Sequence, residues 1–195
     1  MPKKGFYMKR NIGAKTIITP LPVFIIATYD ENGVPNAMNA AWGTQCDNDK
    51  VFLLLGSHKT TDNLKLKKAF TLAFATPETM RISDYFGLES GRRANKIEKA
   101  GVHVHKASKV DAPIIDEYPL TLECEVVEMQ EVEGDFRIVG QVVNTAADES
   151  ILGDGGNIDL GKLRPISYDS SAKAYRVLGD IVGNAFHDGA SIKNK

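Results

Sequence analysis

Three short stretches of the chain carry residue types that could do chemistry. The first is Ser57-His58-Lys59-Thr60-Thr61-Asp62-Asn63. It stands between an apolar run and a segment with helical texture. The free N–H groups of a helix start, joined by hydroxyls and a lysine, make a cradle for an anion. A phosphate there would receive charge-assisted hydrogen bonds and the favourable end of the helix dipole. The ordinary alternative is an N-cap with solvated neighbours. The second stretch, Ser90-Gly91-Arg92-Arg93-Ala94-Asn95-Lys96, again places a hydroxyl and cations at a helix start. Gly91 permits close approach of the backbone to a ligand. A charged, solvent-facing turn is the alternative. The third, Asn36-Ala37-Met38-Asn39-Ala40-Ala41-Trp42-Gly43, is made of small residues and amides and ends in the single Trp. Small side chains let a flat ring reach backbone N–H and C=O groups. Trp42 either walls such a ring or belongs to the core.

Other chemistries find less support. His103 and His105 would share a face on a strand, but no third ligand stands near them, so they read as surface or structural histidines and no metal site is expected. The chain has no G-x-S-x-G, no P-loop and no G-x-G-x-x-G, which removes the usual signatures of acyl transfer, Walker-type nucleotide binding and a Rossmann fold. Cys46 and Cys124 lie far apart and read as reduced thiols rather than a disulfide framework or a zinc site.

These stretches need a scaffold. With 195 residues, the chain can bury one good core but is short for two ordinary domains, so 1–195 is read as a single domain. Hydrophobic residues at 43% and charged residues at 25% are globular proportions. A net charge of -1 argues against a nucleic-acid surface. The basic start, MPKKGFYMKRNIG, has no apolar h-region after it, and apolar runs such as Val51–Leu55 are far too short to span a bilayer. The expectation is a cytoplasmic chain with no membrane span and no nucleic-acid partner.

Val23–Tyr29 is β-branched, apolar and followed by Asp30-Glu31-Asn32-Gly33, where Asn32-Gly33 signals a type I′ hairpin into a strand at about Pro35–Trp42. Val51–Leu55 reads as a strand buried on both faces. Thr60–Ala69 suits a short helix and Phe70–Ala75 a strand. Helical stretches follow at about Glu78–Phe86 and Ala94–Ala100. Leu120–Met129 and Phe136–Asn144 form a long antiparallel pair across Glu133-Gly134-Asp135. Ile151–Leu163, rich in glycine, reads as a loop, a lid or an interface arm. Ile166–Ser167 and Tyr175–Leu178 add short strands, and the tail Gly183–Lys195 reads as peripheral. The sum is a mainly β chain: an antiparallel split β-barrel with a few inserted short helices.

In order and spacing, these segments resemble the flavin reductase-like family with the FMN-binding split barrel, most closely its flavoredoxin branch. The matching text is Asn11-Ile-Gly-Ala-Lys-Thr, Pro20-Leu-Pro-Val, Pro35 through Gly43, Lys59-Thr60-Thr61-x-Asn63, Asp84-Tyr85-Phe86-Gly87-x-x-Ser90-Gly91-Arg92-x-x-x-Lys96, Ala112-Pro113, Pro119-Leu-Thr-Leu-Glu-Cys124, Leu178-Gly179 and Ala185-Phe186-x-Asp-Gly189. The resemblance implies non-covalent FMN in a groove near the interface of a homodimer. Asn36 through Trp42 would line the ring, with backbone groups of Met38, Asn39, Ala40 and Ala41 at its polar edge. Thr60 or Thr61, with Lys59 and Asn63, would hold the phosphate; Ser90, Gly91 and Lys96 would complete that site. Phe186 would lie against the flavin. The implied function is an FMN oxidoreductase fed by NAD(P)H or by a redox protein partner. A carrier without NAD(P)H activity and a non-catalytic FMN-binding or storage module are the alternatives. No residue is singled out as an acid or base. Two departures stand out. Related chains often carry a His before a strand reading I-x-x-G-E-V, where this chain has Asp135-Phe136-Arg137-Ile138-Val139-Gly140-Gln141-Val142. Asp47-Asn48-Asp49-Lys50 replaces a proline pair.

Overall fold

The structure, a computed structural model, describes residues 9–193. In chain order its elements are β1 (Leu21–Pro22), β2 (Phe24–Tyr29), β3 (Pro35–Ala40), β4 (Gly43–Asp47), β5 (Lys50–Leu55), α1 (Lys59–Lys67), β6 (Ala69–Phe74), α2 (Met80–Leu88), α3 (Lys96–Ala100), β7 (Val104–Lys106), β8 (Pro113–Ile115), β9 (Leu120–Val132), β10 (Asp135–Ala147), α4 (Leu160–Leu163), β11 (Ile166–Asp169), β12 (Ala174–Val177) and α5 (Ala190–Lys193).

Seven strands form one antiparallel sheet in the order β3-β2-β6-β9-β10-β5-β4. Only Ala41 and Trp42 separate its two edge strands in the chain. One buried cluster takes Phe24, Met38, Leu53, Phe70, Leu72, Cys124 and Ile138 from strands all along that order, so the sheet is rolled around its own core. Strand alternation explains the second layer. Ile25, Ala27, Ala37 and Ala73 face outward and are covered by Phe86 of α2, Ile97 of α3, Ile115 of β8 and Ile166 of β11. The mainly β, split-barrel expectation is met, with a small sheet β1-β11-β12 and the pair β7-β8 on the outside.

Several local expectations are corrected. The hairpin after β2 is not type I′: Gly33 has φ +76° but Asn32 is not left-handed. Gly33 N–H instead donates to Asp30 C=O at 3.1 Å, and the Asp30 carboxylate accepts the N–H groups of Asn32 and Val34 at 2.9 Å each. The aspartate's grip on the turn outweighs the Asn-Gly preference. The two-residue turn with both φ positive lies at Glu133 (54°) and Gly134 (87°), between paired Val132 and Asp135. In β5, Val51, Leu53 and Leu55 are buried but Phe52 and Leu54 only half-buried, so it is not covered on both faces. The long pair β9 and β10 extends beyond its predicted ends at both termini of the ladder. The Ile151–Leu163 segment is anchored at both ends. Ile151 and Leu163 are buried against Leu120, and Asp159 caps α4 by accepting the N–H groups of Gly161 and Lys162 at 2.7 and 3.2 Å.

Candidate functional site

Helix α1 begins at the lip of the barrel because β5 ends there. Its N-cap is His58, with extended backbone (φ -132°, ψ 167°). Thr61 Oγ1 accepts the His58 N–H and donates to the His58 C=O, both at 2.8 Å. The first intrahelical bond is Asp62 N–H to the His58 C=O at 3.1 Å, which leaves the N–H groups of Lys59 and Thr60 without partners inside the helix. Thr60, buried, faces the other way and accepts a hydrogen bond from Asn36 Nδ2 of β3 at 2.8 Å.

The second predicted stretch comes to the same place. Asn95 caps α3 by accepting the Glu98 N–H at 3.2 Å. Lys96 opens that helix and is only 4% exposed. Its Nζ donates to the Phe86 carbonyl of α2 at 2.9 Å. Among the described residues it has no ion-pair partner. Burial pulls its pKa down to about 8, and the more distant Glu89 carboxylate offsets only part of that. A buried ammonium held by one carbonyl is short of negative charge. The chain spends most of its other local charge elsewhere. Arg92 pairs with Asp62 at 2.8 Å. Lys59 pairs with Asp30 and Glu31 at 3.5 and 3.6 Å.

A cleft of about 230 Å³ is lined by Asn36, Lys59, Thr60, Ser90, Gly91, Arg93 and Lys96, with Met38, Asn39, His58 and the α2 end. It shares Met38, Asn39, His58, Gly87 and Leu88 with a larger cleft of about 560 Å³. The larger cleft follows β3 through Ala40, Ala41 and Trp42, has Leu54 to Gly56 as one wall, and is bounded by Asp84 and by Tyr168, Lys173 and Tyr175 of the β11–β12 hairpin. Tyr175 Oη donates to Asp84 Oδ1 at 2.7 Å. Burial first, then Asp84, raises the Tyr175 pKa to about 12, so the phenol keeps its proton. The result is an anion cradle opening directly into a slot with an apolar floor and aromatic walls.

The structure thus brings together Asn36, Met38, Asn39, Ala40, Ala41, Trp42, Lys59, Thr60, Ser90, Gly91 and Lys96. Trp42 is 57% exposed at the slot and is not core. Three of the expected residues lie outside both clefts. Asn63 is buried and donates Nδ2 to Thr28 Oγ1 at 3.0 Å, so it braces α1 against β2. Thr61 is buried in its capping role and lines neither cleft. Phe186 is fully exposed and lines neither cleft of the single chain. Gly91 has a different reason from the one expected. A β-carbon there would lie 2.1 Å from Asn36 Oδ1, so the glycine makes room for the amide that holds Thr60.

Sequence reasoning missed Asp84, His58 and the aromatic wall. His58 stands inside the first stretch, and Asp84 opens the Asp84-Tyr85-Phe86-Gly87 text. Tyr168 and Tyr175 face each other across a short hairpin, a pairing that short strands this close in sequence could have suggested. Phe136 is 4% exposed in the barrel core, with the Lys65 ammonium 4.2 Å from its ring centre.

Comparison with known proteins follows the same lines. The chain is similar to the flavoredoxin of Desulfovibrio vulgaris (Miyazaki F), at 29% identity and TM-score 0.88 over 93% of this chain and 100% of that one. It is similar to flavoredoxin from Methanosarcina acetivorans, at 28% identity and TM-score 0.86 over 95% and 99%. An uncharacterized protein of Aquifex aeolicus is 24% identical over 158 residues, 77% of this chain and 81% of that protein. The flavin reductase like domain matches residues 17–167, and the chain belongs to the flavin reductase-like family.

Proposed function

We propose that this chain is a flavin reductase- or flavoredoxin-type oxidoreductase that holds FMN non-covalently in the joined clefts, as a single domain acting in a homodimer in the cytoplasm. The observation that carries this reading is the buried, unpaired Lys96 ammonium at the end of a slot shaped for a flat ring. The residues fit the group. Lys96, Thr60, Ser90 and the first N–H groups of α1 suit the phosphate, with Lys59 at the rim. Met38 to Ala41 offer backbone groups to the polar edge of the ring, and Asn36 orients Thr60. Trp42 and the tyrosine wall limit how the ring can tilt.

FMN supplies the redox chemistry when bound; the chain supplies binding, orientation and electrostatics. Trp42, 57% exposed at the edge of the slot, leaves the ring reachable by a donor such as NAD(P)H or by a redox partner. No side chain is assigned an acid or base role in the transfer. A second reading has its own support. The similarity to two flavoredoxins favours a carrier served by a protein partner. No helix among the described residues is long and apolar enough to cross a membrane.

The purified protein should be yellow, absorb near ~450 nm and release its chromophore on heating, as non-covalent oxidised flavin does. Rapid bleaching on mixing with NADH or NADPH supports the reductase. Bleaching only by a reduced protein partner supports the carrier. A protein that stays colourless in excess FMN would sink both.

A further inference from the structure

Among the described residues, His58 is the one histidine that lines the clefts, and it lines both of them. It sits at the seam between the cradle and the slot. Its position is fixed twice. Thr61 clamps its N–H and C=O, and its ring lies beside Gly56, where a β-carbon would meet His58 Nε2 at 3.3 Å and Asp135 Oδ1 at 3.6 Å. Asp135 opens β10, immediately before Phe136. The chain therefore brings an imidazole to the cleft from the N-cap of α1.

The charged groups around the ring come from four elements: Lys96 of α3, Arg92 of the loop before it, Asp62 of α1 itself and Asp135 of β10. Burial, then Lys96 and Arg92, hold the imidazole below the ordinary His range, while Asp135 and Asp62 push back. Of the two cations only Lys96 lines the cradle, while Arg92 lines neither cleft and pairs with Asp62 at 2.8 Å. An anion seated on Lys96 and Thr60 would shift that balance toward the protonated ring, because its own charge would favour the imidazolium and partly cancel the field of Lys96.

We propose that His58 is a proton-switched cation of the cradle, taking up a proton when a phosphate-bearing ligand binds and so tightening its hold as the pH falls. This rests on the FMN reading above and deepens it by naming how binding at that site is regulated. The linkage has a definite sign. If occupancy raises the pKa of His58, affinity is greatest below that pKa and declines as pH rises through it. A rise of half a unit to one unit corresponds to about threefold to tenfold in affinity.

The test is calorimetric titration of the full chain with FMN at about pH 6.5, where Lys96 stays protonated, in buffers of different ionisation heat. Riboflavin, which lacks the phosphate, is the parallel probe. His58→Asn keeps a good N-cap, and His58→Lys carries a fixed charge. We expect the wild type to take up more protons on binding FMN than His58→Asn does, with that difference absent for riboflavin. His58→Lys should bind FMN at least as tightly as His58→Asn at every pH. Equal proton uptake by wild type and His58→Asn, with FMN still bound, would overturn the proposal and leave the FMN reading intact. Weaker binding by His58→Lys than by His58→Asn would overturn it too. A chain that binds neither FMN nor riboflavin overturns both readings at once, which separates that failure from the first two.

Discussion

Around Lys96 the walls belong to β3, α1, α2 and α3, all packed on the barrel; around Tyr175 the wall is a two-stranded hairpin whose outer strand is half-exposed. The inner end is polar, and its groups are held by one another. Asn36 positions Thr60, Asn95 positions Lys96, and Gly91 leaves the space that Asn36 needs. The outer end is aromatic, and the hydrogen bond from Tyr175 to Asp84 joins the hairpin to α2 across it. The contrast assigns different tasks to the two ends. A fixed cradle costs little reorganisation and supplies affinity. An adjustable wall can admit different donors or acceptors without disturbing the anchor.

Lys96→Met tests the inner end most severely. Loss of a charge-assisted contact should weaken FMN binding by ~2–3 kcal/mol, roughly 30- to 150-fold in Kd by fluorescence titration. The ligand-free protein should respond the opposite way. The Lys96 pKa is lowered to about 8 in the fold from its ordinary value near 10.5. Between those values the unfolded chain binds the extra proton, so wild-type stability gains as pH rises through that window. The gain should be on the order of 2 kcal/mol between about pH 7 and pH 10, read by denaturant unfolding, and Lys96→Met should lack it. A variant that binds FMN normally would show that the cradle is not where the affinity lies.

Gly91→Ala asks whether the inner end is as rigid as its packing implies. The new methyl would overlap Asn36 Oδ1 and push the amide off Thr60. The expected losses are ~1–2 kcal/mol in FMN binding and a similar amount in stability, the range for crowding a packed site. Adding Asn36→Ser should recover part of both, since it removes the group struck; a double-mutant cycle measures that coupling. Full additivity would mean the clash is relieved elsewhere and the cradle is softer than proposed.

How much of this was legible in the sequence depended on range. The barrel was readable because apolar strands, turns and short helices leave local marks, and the Lys96 and Thr60 stretches were readable because helix starts with hydroxyls and cations are local too. Thr60 and Thr61 could not be told apart, because consecutive helix residues point in different directions and only the tertiary partner decides: Asn36 for one, the His58 backbone for the other. Asn63 misled for a related reason, since Thr28, distant in sequence, satisfies it. The Asn32-Gly33 turn went wrong because one side chain, Asp30, bonds two backbone N–H groups that the dipeptide preference ignores. That the tyrosine pair walls the slot was not readable, because Tyr168 and Tyr175 lie more than 120 positions from the β3 floor.

Tyr175→Phe is the gentlest probe and falls on the outer end alone. Removing the hydroxyl leaves Asp84 facing the slot without its donor at 2.7 Å. The carboxylate can take up water at this half-open position, so the cost should stay at ~0.5–1.5 kcal/mol. It should appear locally, as faster amide exchange in β11 and β12, with the barrel strands unchanged. FMN affinity should hold within about twofold, because phosphate contacts are made elsewhere, while KM for a bulky donor or acceptor shifts. If Tyr175→Phe instead cost as much FMN affinity as Lys96→Met, the wall would be part of the anchor. The two ends of the cleft would then be one cooperative site rather than a fixed cradle with an adjustable lip.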